Sequence, residues 1–144
     1  MDAAVKVTEN FIGRGEMIVS TRGRNPVKSK EYRSSGLEPA YSGKIAVIVN
    51  KGSASGSEIL AGALRDYGLA RIIGKKTYGK GCVQTLTALS DGSAIRITTS
   101  YYYTPKGRLI HEIGITPDVD ITEEPSGGHD MALEAALEWV RVKK

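Results

Sequence analysis

Lys44-Ile45-Ala46-Val47-Ile48-Val49-Asn50 is followed, after a loop of small residues, by Ser55 to Tyr67 and then by Leu69-Ala70-Arg71-Ile72-Ile73-Gly74. The first stretch is a continuous apolar run, which predicts a strand covered on both faces. The second places Ile59, Leu60, Ala63, Leu64 and Tyr67 on one side of a helix, with Gly68 where a left-handed C-terminal residue would sit. The third reads as another apolar strand. Strand, helix and strand within about thirty residues make the parallel crossover unit, so the fold class is α/β.

Working outward toward the N-terminus, Ala3, Ala4, Val7 and Phe11 recur at helical spacing, with Asp2 able to cap the start and Gly13 to end it. Glu16 to Thr21 reads as a short strand. The polar, basic stretch from Arg22 to Ser42 reads as a surface loop or a hairpin excursion. On the C-terminal side, Val83 to Leu89 and Ala94 to Tyr103 alternate as strands around the turn signal Ser90-Asp91-Gly92-Ser93. Thr104-Pro105-Lys106-Gly107 marks another turn, and Thr116-Pro117-Asp118 a rigid corner before Val119-Asp120-Ile121. Glu123 to Gly128 reads as a connector. His129 to Lys143 reads as a final helix with Met131, Ala132, Ala135, Ala136, Trp139 and Val140 on its apolar face.

Composition sets broad bounds. A chain of 144 residues, 40% of them hydrophobic, can bury one core, and no stretch approaches the roughly 18 to 20 apolar residues of a membrane span. The net charge of +4 would permit a polyanionic partner. Yet Lys and Arg are scattered and aromatic residues are not interleaved with them, so no nucleic-acid platform is expected. Cys82 is the only cysteine, which excludes an internal disulfide and a cysteine-rich metal site. Met1-Asp2-Ala3-Ala4 opens without the basic and then apolar stretch of a signal peptide. The early helix suggests a part of a longer chain.

The chemistry begins where the first strand ends, in Asn50-Lys51-Gly52-Ser53-Ala54-Ser55-Gly56-Ser57-Glu58. A serine leaving a buried strand and opening a helix meets unpaired amides and the positive end of the helix dipole, which stabilise a developing oxyanion. Ser55 and the Gly56 amide fit that arrangement. A serine needs a base to take its proton, and neither His111, after a turn, nor His129, at a helix start, has a suitable setting. A lysine can serve only when neutral, and an unperturbed ammonium is neutral in about one copy in 2,500 at pH 7. It therefore needs surroundings that disfavour charge. Lys80, between Gly79 and Gly81, sits where backbone can approach closely, and Gln84 could accept a hydrogen bond from the amine without adding a negative charge. The same residues also admit a structural reading. Ser53, Ser55 and Ser57 would then be capping and turn residues, and Lys80 an exposed loop lysine.

Four ordered motifs narrow the choice: Gly52-Ser53-Ala54-Ser55-Gly56-Ser57-Glu58-Ile59, Gly79-Lys80-Gly81-Cys82-Val83-Gln84-Thr85, Ser90-Asp91-Gly92-Ser93-Ala94, and Tyr102-Tyr103-Thr104-Pro105-Lys106-Gly107-Arg108. Together they resemble the C-terminal processing peptidases, or tail-specific proteases, from about Asp2 to the final helix. The resemblance implies a Clp protease/crotonase-like α/β core, with the parallel unit, a β-hairpin region and a C-terminal helix. It implies a serine endopeptidase working through a Ser-Lys dyad and an acyl-enzyme, with Ser55 as nucleophile, Lys80 as base and Gln84 in support. Protein substrates with a C-terminal recognition tail are implied, as is export of the parent protein to the periplasm or cell envelope. An oligomer is possible on this reading, and no metal or organic cofactor is implied.

The departures from the family pattern are equally specific. The PDZ domain and the upstream glycine-rich segment that supplies an oxyanion-hole amide have no counterpart here, so residues 1–144 resemble a single, truncated catalytic core. Gly56 stands where alanine is common and Cys82 where serine is common. Losing one oxyanion donor can cost about 10²- to 10³-fold in turnover, so the chain alone is expected to have little or no activity. Two other classes remain: a non-catalytic binding module on the same fold, and an acyl-CoA enzyme on fold analogy, for which no adenine or phosphate site is evident in the sequence.

Overall fold

The computed structural model describes residues 1–36, 38–122 and 129–142. The chain runs α1 (Asp2–Thr8), β1 (Met17–Gly23), a short 3-10 turn at Pro26–Lys28, β2 (Lys30–Arg33), β3 (Ile45–Val49), α2 (Gly56–Asp66) and β4 (Ala70–Gly74). It continues with β5 (Cys82–Ala88), β6 (Ala94–Tyr103), β7 (Val119–Asp120) and α3 (Met131–Arg141). Two sheets result: a parallel one in the order β3-β4-β7 and an antiparallel one in the order β2-β1-β6-β5.

The crossover forms as the apolar spacing predicts. Ile45 pairs with Ala70 and Val49 with Gly74, in one unbroken parallel register. Gly68 adopts φ +68°, which closes α2 and lets the chain return to the sheet. Ile59, Ala61, Ala63 and Leu64 of α2 pack with Ile72, Ile18, Val19, Ile110 and Ile115 into one core. Each buried Ile, Leu or Val side chain among them stabilises the fold by about 1.5–3 kcal/mol relative to exposure. Gly62 faces Thr104 so closely that an added Cβ would lie 2.9 Å from its methyl carbon, which seats α2 against the end of β6.

Several local expectations are corrected. Asp2 is the first helical residue rather than the cap, and α1 ends at Thr8, well before Gly13, because Asn10 folds its amide back onto the Lys6 and Val7 carbonyls. The basic stretch contains β2, antiparallel to β1, so the hairpin alternative holds. Asp130, not His129, caps α3, accepting from the Ala132 and Leu133 amides. The uncovered side of β3 is also larger than its apolar run implies, since Ile48 remains 44% exposed. The connector 123–128 lies outside the described residues. No helix among the described residues is long and apolar enough to cross a membrane.

Tyr67, next to the end of α2, donates its hydroxyl toward Glu16 Oε2 at 3.0 Å and the Met17 carbonyl at 2.9 Å, tying α2 to β1. Burial, reinforced by the Glu16 carboxylate, pushes its phenol up from 10.0 to about 12. The folded state therefore holds this proton more tightly than the unfolded chain does. The associated stability is complete below pH 10 and is lost as pH climbs toward 12. Denaturant titrations across that window should show a steeper loss for the native chain than for Tyr67→Phe; parallel curves would contradict this linkage.

Candidate active site

The carboxyl ends of β3 and β4 lie side by side because the strands are parallel and in register. The loop after each strand therefore rises from the same edge: residues 50–55 from β3 and residues 75–81 from β4. In the first loop, Asn50 organises a tight turn. Its amide donates to Ser53 Oγ at 3.0 Å, and its side-chain oxygen accepts from Gly52 N at 2.9 Å. Ser53 is thereby a turn residue. Ser57 is exposed, and Ser55 sits at the N-cap of α2 with φ 54° and ψ −110°. That conformation is rare for a residue with a Cβ and costs of order 1–3 kcal/mol, which the surrounding structure must offset.

The offset comes from Glu58, a functional residue that local sequence pattern alone does not single out. Glu58 is fully buried. Its Oε2 accepts from Ser55 N at 2.8 Å and Lys80 N at 2.9 Å, and its Oε1 accepts from Gly79 N at 2.6 Å and Thr77 Oγ1 at 2.5 Å. One carboxylate thus holds the backbone of the candidate nucleophile and of the candidate base. The sequence signal was present as Ser-x-x-Glu, the capping-box spacing. What spacing could not give was the second set of donors, supplied by the neighbouring loop. Tyr78 N adds a bond to the Ser53 carbonyl at 2.9 Å.

A third segment, residues 110–115, closes the other side. Thr77 Oγ1 accepts from Ile115 N at 2.7 Å, and the Gly79 carbonyl accepts from Glu112 N at 2.9 Å. A Cβ on Gly81 would lie 2.4 Å from His111 N, and one on Gly79, at φ +88°, 3.1 Å from Gly114 N. The glycines flanking Lys80 therefore permit the close backbone approach expected of them. His111 stacks on Tyr101 at 4.8 Å, and His129 is exposed beside Glu134. Neither is tied to Ser55 by a hydrogen bond among the described residues.

The predicted side chains are placed unequally. Gly56 opens α2 against α1, where an added Cβ would meet Ala4 Cβ at 3.3 Å, and no acceptor among the described residues takes its amide proton. That free N–H at a helix N-terminus suits an oxyanion. Lys80 and Gln84, in contrast, are exposed. Gln84 follows an irregularity in the β5–β6 pairing and, among the described residues, its side chain reaches only Thr98 Oγ1, at 3.5 Å. Burial of the Lys80 amine is not supplied by the described residues.

The site thus joins a serine at a strained helix start to a glycine-flanked lysine, the amides of both held by one carboxylate. Residues 1–121 match the family model for peptidase family S41. The chain belongs to that family. It is 44% identical over 136 residues to the carboxy-terminal-processing protease of Bartonella bacilliformis, covering 92% of this chain and 31% of that protein. Its fold is similar to that of the photosystem II D1 C-terminal processing protease, with a TM-score of 0.73 and 34% identity, covering 96% of this chain and 35% of that one. A lipoprotein from Streptococcus agalactiae has a TM-score of 0.72 at 15% identity, covering 96% of this chain and 48% of its own; it shares the fold alone. This S41 chain thus spans about a third of the length of the Bartonella relative. The mixed α/β architecture is the fold that the resemblance implied.

Proposed function

We propose that these residues carry the dyad of a serine endopeptidase that cleaves protein substrates near their carboxyl terminus. The observation that carries the reading is the Glu58 carboxylate shared by the Ser55 and Lys80 amides. Ser55 Oγ attacks the scissile carbonyl while Lys80 Nζ takes its proton. The Gly56 N–H and the start of α2 receive the oxyanion, and Lys80 returns the proton to the leaving amine. Water then attacks the acyl ester, with Lys80 again as base. Gln84 orients the amine by accepting one of its hydrogens.

The chemistry requires a neutral lysine, and Lys80 is exposed within this chain. Covering it falls to bound substrate or to further protein around the site. This supports a sharp contrast. Within its complete natural protein, the site should label with a fluorophosphonate probe and cleave a peptide with an apolar C-terminus, and Ser55→Ala should abolish both. The 144-residue chain alone should cleave at least about 10²-fold more slowly. Comparable cleavage by the isolated chain would refute the second expectation. Absence of labelling in the complete protein would overturn the protease reading. It would favour a non-catalytic ligand- or protein-binding module on the same fold, the alternative that the exposure of Lys80 and Gln84 supports. Recognition of a substrate's C-terminal tail and export to the cell envelope belong to the protease proposal.

A further inference from the structure

At the opposite end of the parallel sheet from Ser55, the amino ends of β3 and β4 and the C-terminal turns of α2 and α3 enclose a pocket of about 840 Å³. Lys44, Arg65 and Arg71 line it, with Asp118 as the one acidic residue among its described lining and Trp139 as its aromatic wall. These cations are scattered in the sequence, and the crossover gathers them.

Their existing partners leave the charge uncompensated. Lys44 Nζ donates to the carbonyls of Val142 and Trp139 at the end of α3, and it lies 5.0 Å from the Trp139 ring centre. Arg71 approaches the same ring at 5.7 Å. Arg65 Nη1 donates to the Thr116 carbonyl, while its Nε is buried without a partner. None of the three pairs with a carboxylate among the described residues. The Asp118 carboxylate is turned to the Ile72 amide through Oδ2 at 2.8 Å. Two cations held near one aromatic ring repel each other, and an anion bound beside them lowers that penalty.

We propose that this pocket is a binding site for a phosphate group, borne by a free phosphate or by a lipid headgroup. Among the described lining residues, three cations and one carboxylate leave two positive charges, which match the roughly −1.5 to −2 of a phosphomonoester at neutral pH. Arg71, with no hydrogen-bond acceptor among the described residues, can present its planar fork to two phosphate oxygens; Arg65 and Lys44 supply the flanking donors. A carboxylate ligand would neutralise only half of this charge. The site is independent of Ser55 chemistry, because it lies at the other end of the strands.

The test uses the 144-residue chain in two arms at low salt. One titrates inorganic phosphate, followed by calorimetry. The other measures co-sedimentation with phosphatidylcholine vesicles, with and without phosphatidic acid. Binding in the first arm identifies free phosphate; binding only to vesicles with phosphatidic acid identifies a headgroup. In either case Arg71→Gln should weaken binding about tenfold or more, Arg71→Lys should restore part of it, and high salt should abolish it. Circular dichroism of each variant controls for folding at this exposed position. No binding in either arm, or equal binding by the native chain and Arg71→Gln, overturns the proposal. A Ser55→Ala chain should bind like the native one, so failure here is distinguishable from failure of the protease reading.

Discussion

Glu58→Ala is expected to lower the unfolding free energy of the chain by about 4 kcal/mol, out of a total of about 5–15 kcal/mol for a domain. Removing the carboxylate leaves the Ser55, Gly79 and Lys80 amides and the Thr77 hydroxyl without their acceptor. Each buried unsatisfied donor costs about 1–3 kcal/mol, and water entering the vacated space recovers part of the sum. Glu58→Gln keeps the shape but turns an NH₂ toward existing donors, so a loss of about 2 kcal/mol is expected. In the complete protein the Gln variant should also cleave at least about 10²-fold more slowly, since the proposed nucleophile and base would lose their common anchor. Urea midpoints and probe-labelling rates measure the two effects separately. A Glu58→Gln protein with native midpoint and native labelling rate would show that the anchor is dispensable.

Ser55→Gly is expected to do two opposite things. It should abolish acylation, because the hydroxyl is gone, while raising stability by about 1 kcal/mol. The conformation at φ 54°, ψ −110° strains a residue with a Cβ by roughly 1–3 kcal/mol. Glycine relieves this strain and returns about 0.5–1 kcal/mol as extra entropy of the unfolded chain. Ser55→Ala keeps the Cβ and so should lose activity without that gain. Thermal denaturation of the two variants side by side decides the matter: equal melting temperatures would mean that the backbone at Ser55 carries no strain.

The parts of this fold that were legible in the sequence are those set by local periodicity. The run Ile45–Val49, the helix ending at Gly68 and the Asp91-Gly92 turn each carry their own signal, and each forms. Legibility fails where one side chain serves distant partners. Glu58 lies in the first turn of α2, where spacing alone suggests a cap. Its bonds to Thr77, Gly79 and Lys80 exist because the parallel pairing sets the two loops on one edge. Lys80 shows the converse limit. Its flanking glycines allow backbone to pack closely, but the contacts come from the backbone of residues 110–114, which leaves the amine outside. Lys44, Arg65 and Arg71 look dispersed along the chain because their proximity is created by the amino ends of β3 and β4.

The four donors converging on Glu58 also bear on motion. A loop held by its own bonds can open by itself, at a free energy set by those bonds alone. Here the Ser55 and Lys80 amides share a single oxygen, and Gly79 and Thr77 share the other. The start of α2 and the loop after β4 are therefore expected to open as one cooperative unit, with matched amide-exchange protection at Ser55, Gly79 and Lys80. With Ser55 and Lys80 as the proposed dyad, their backbone is expected to be registered or unregistered as a whole, so that partial opening would not present the serine to substrate while the lysine is elsewhere.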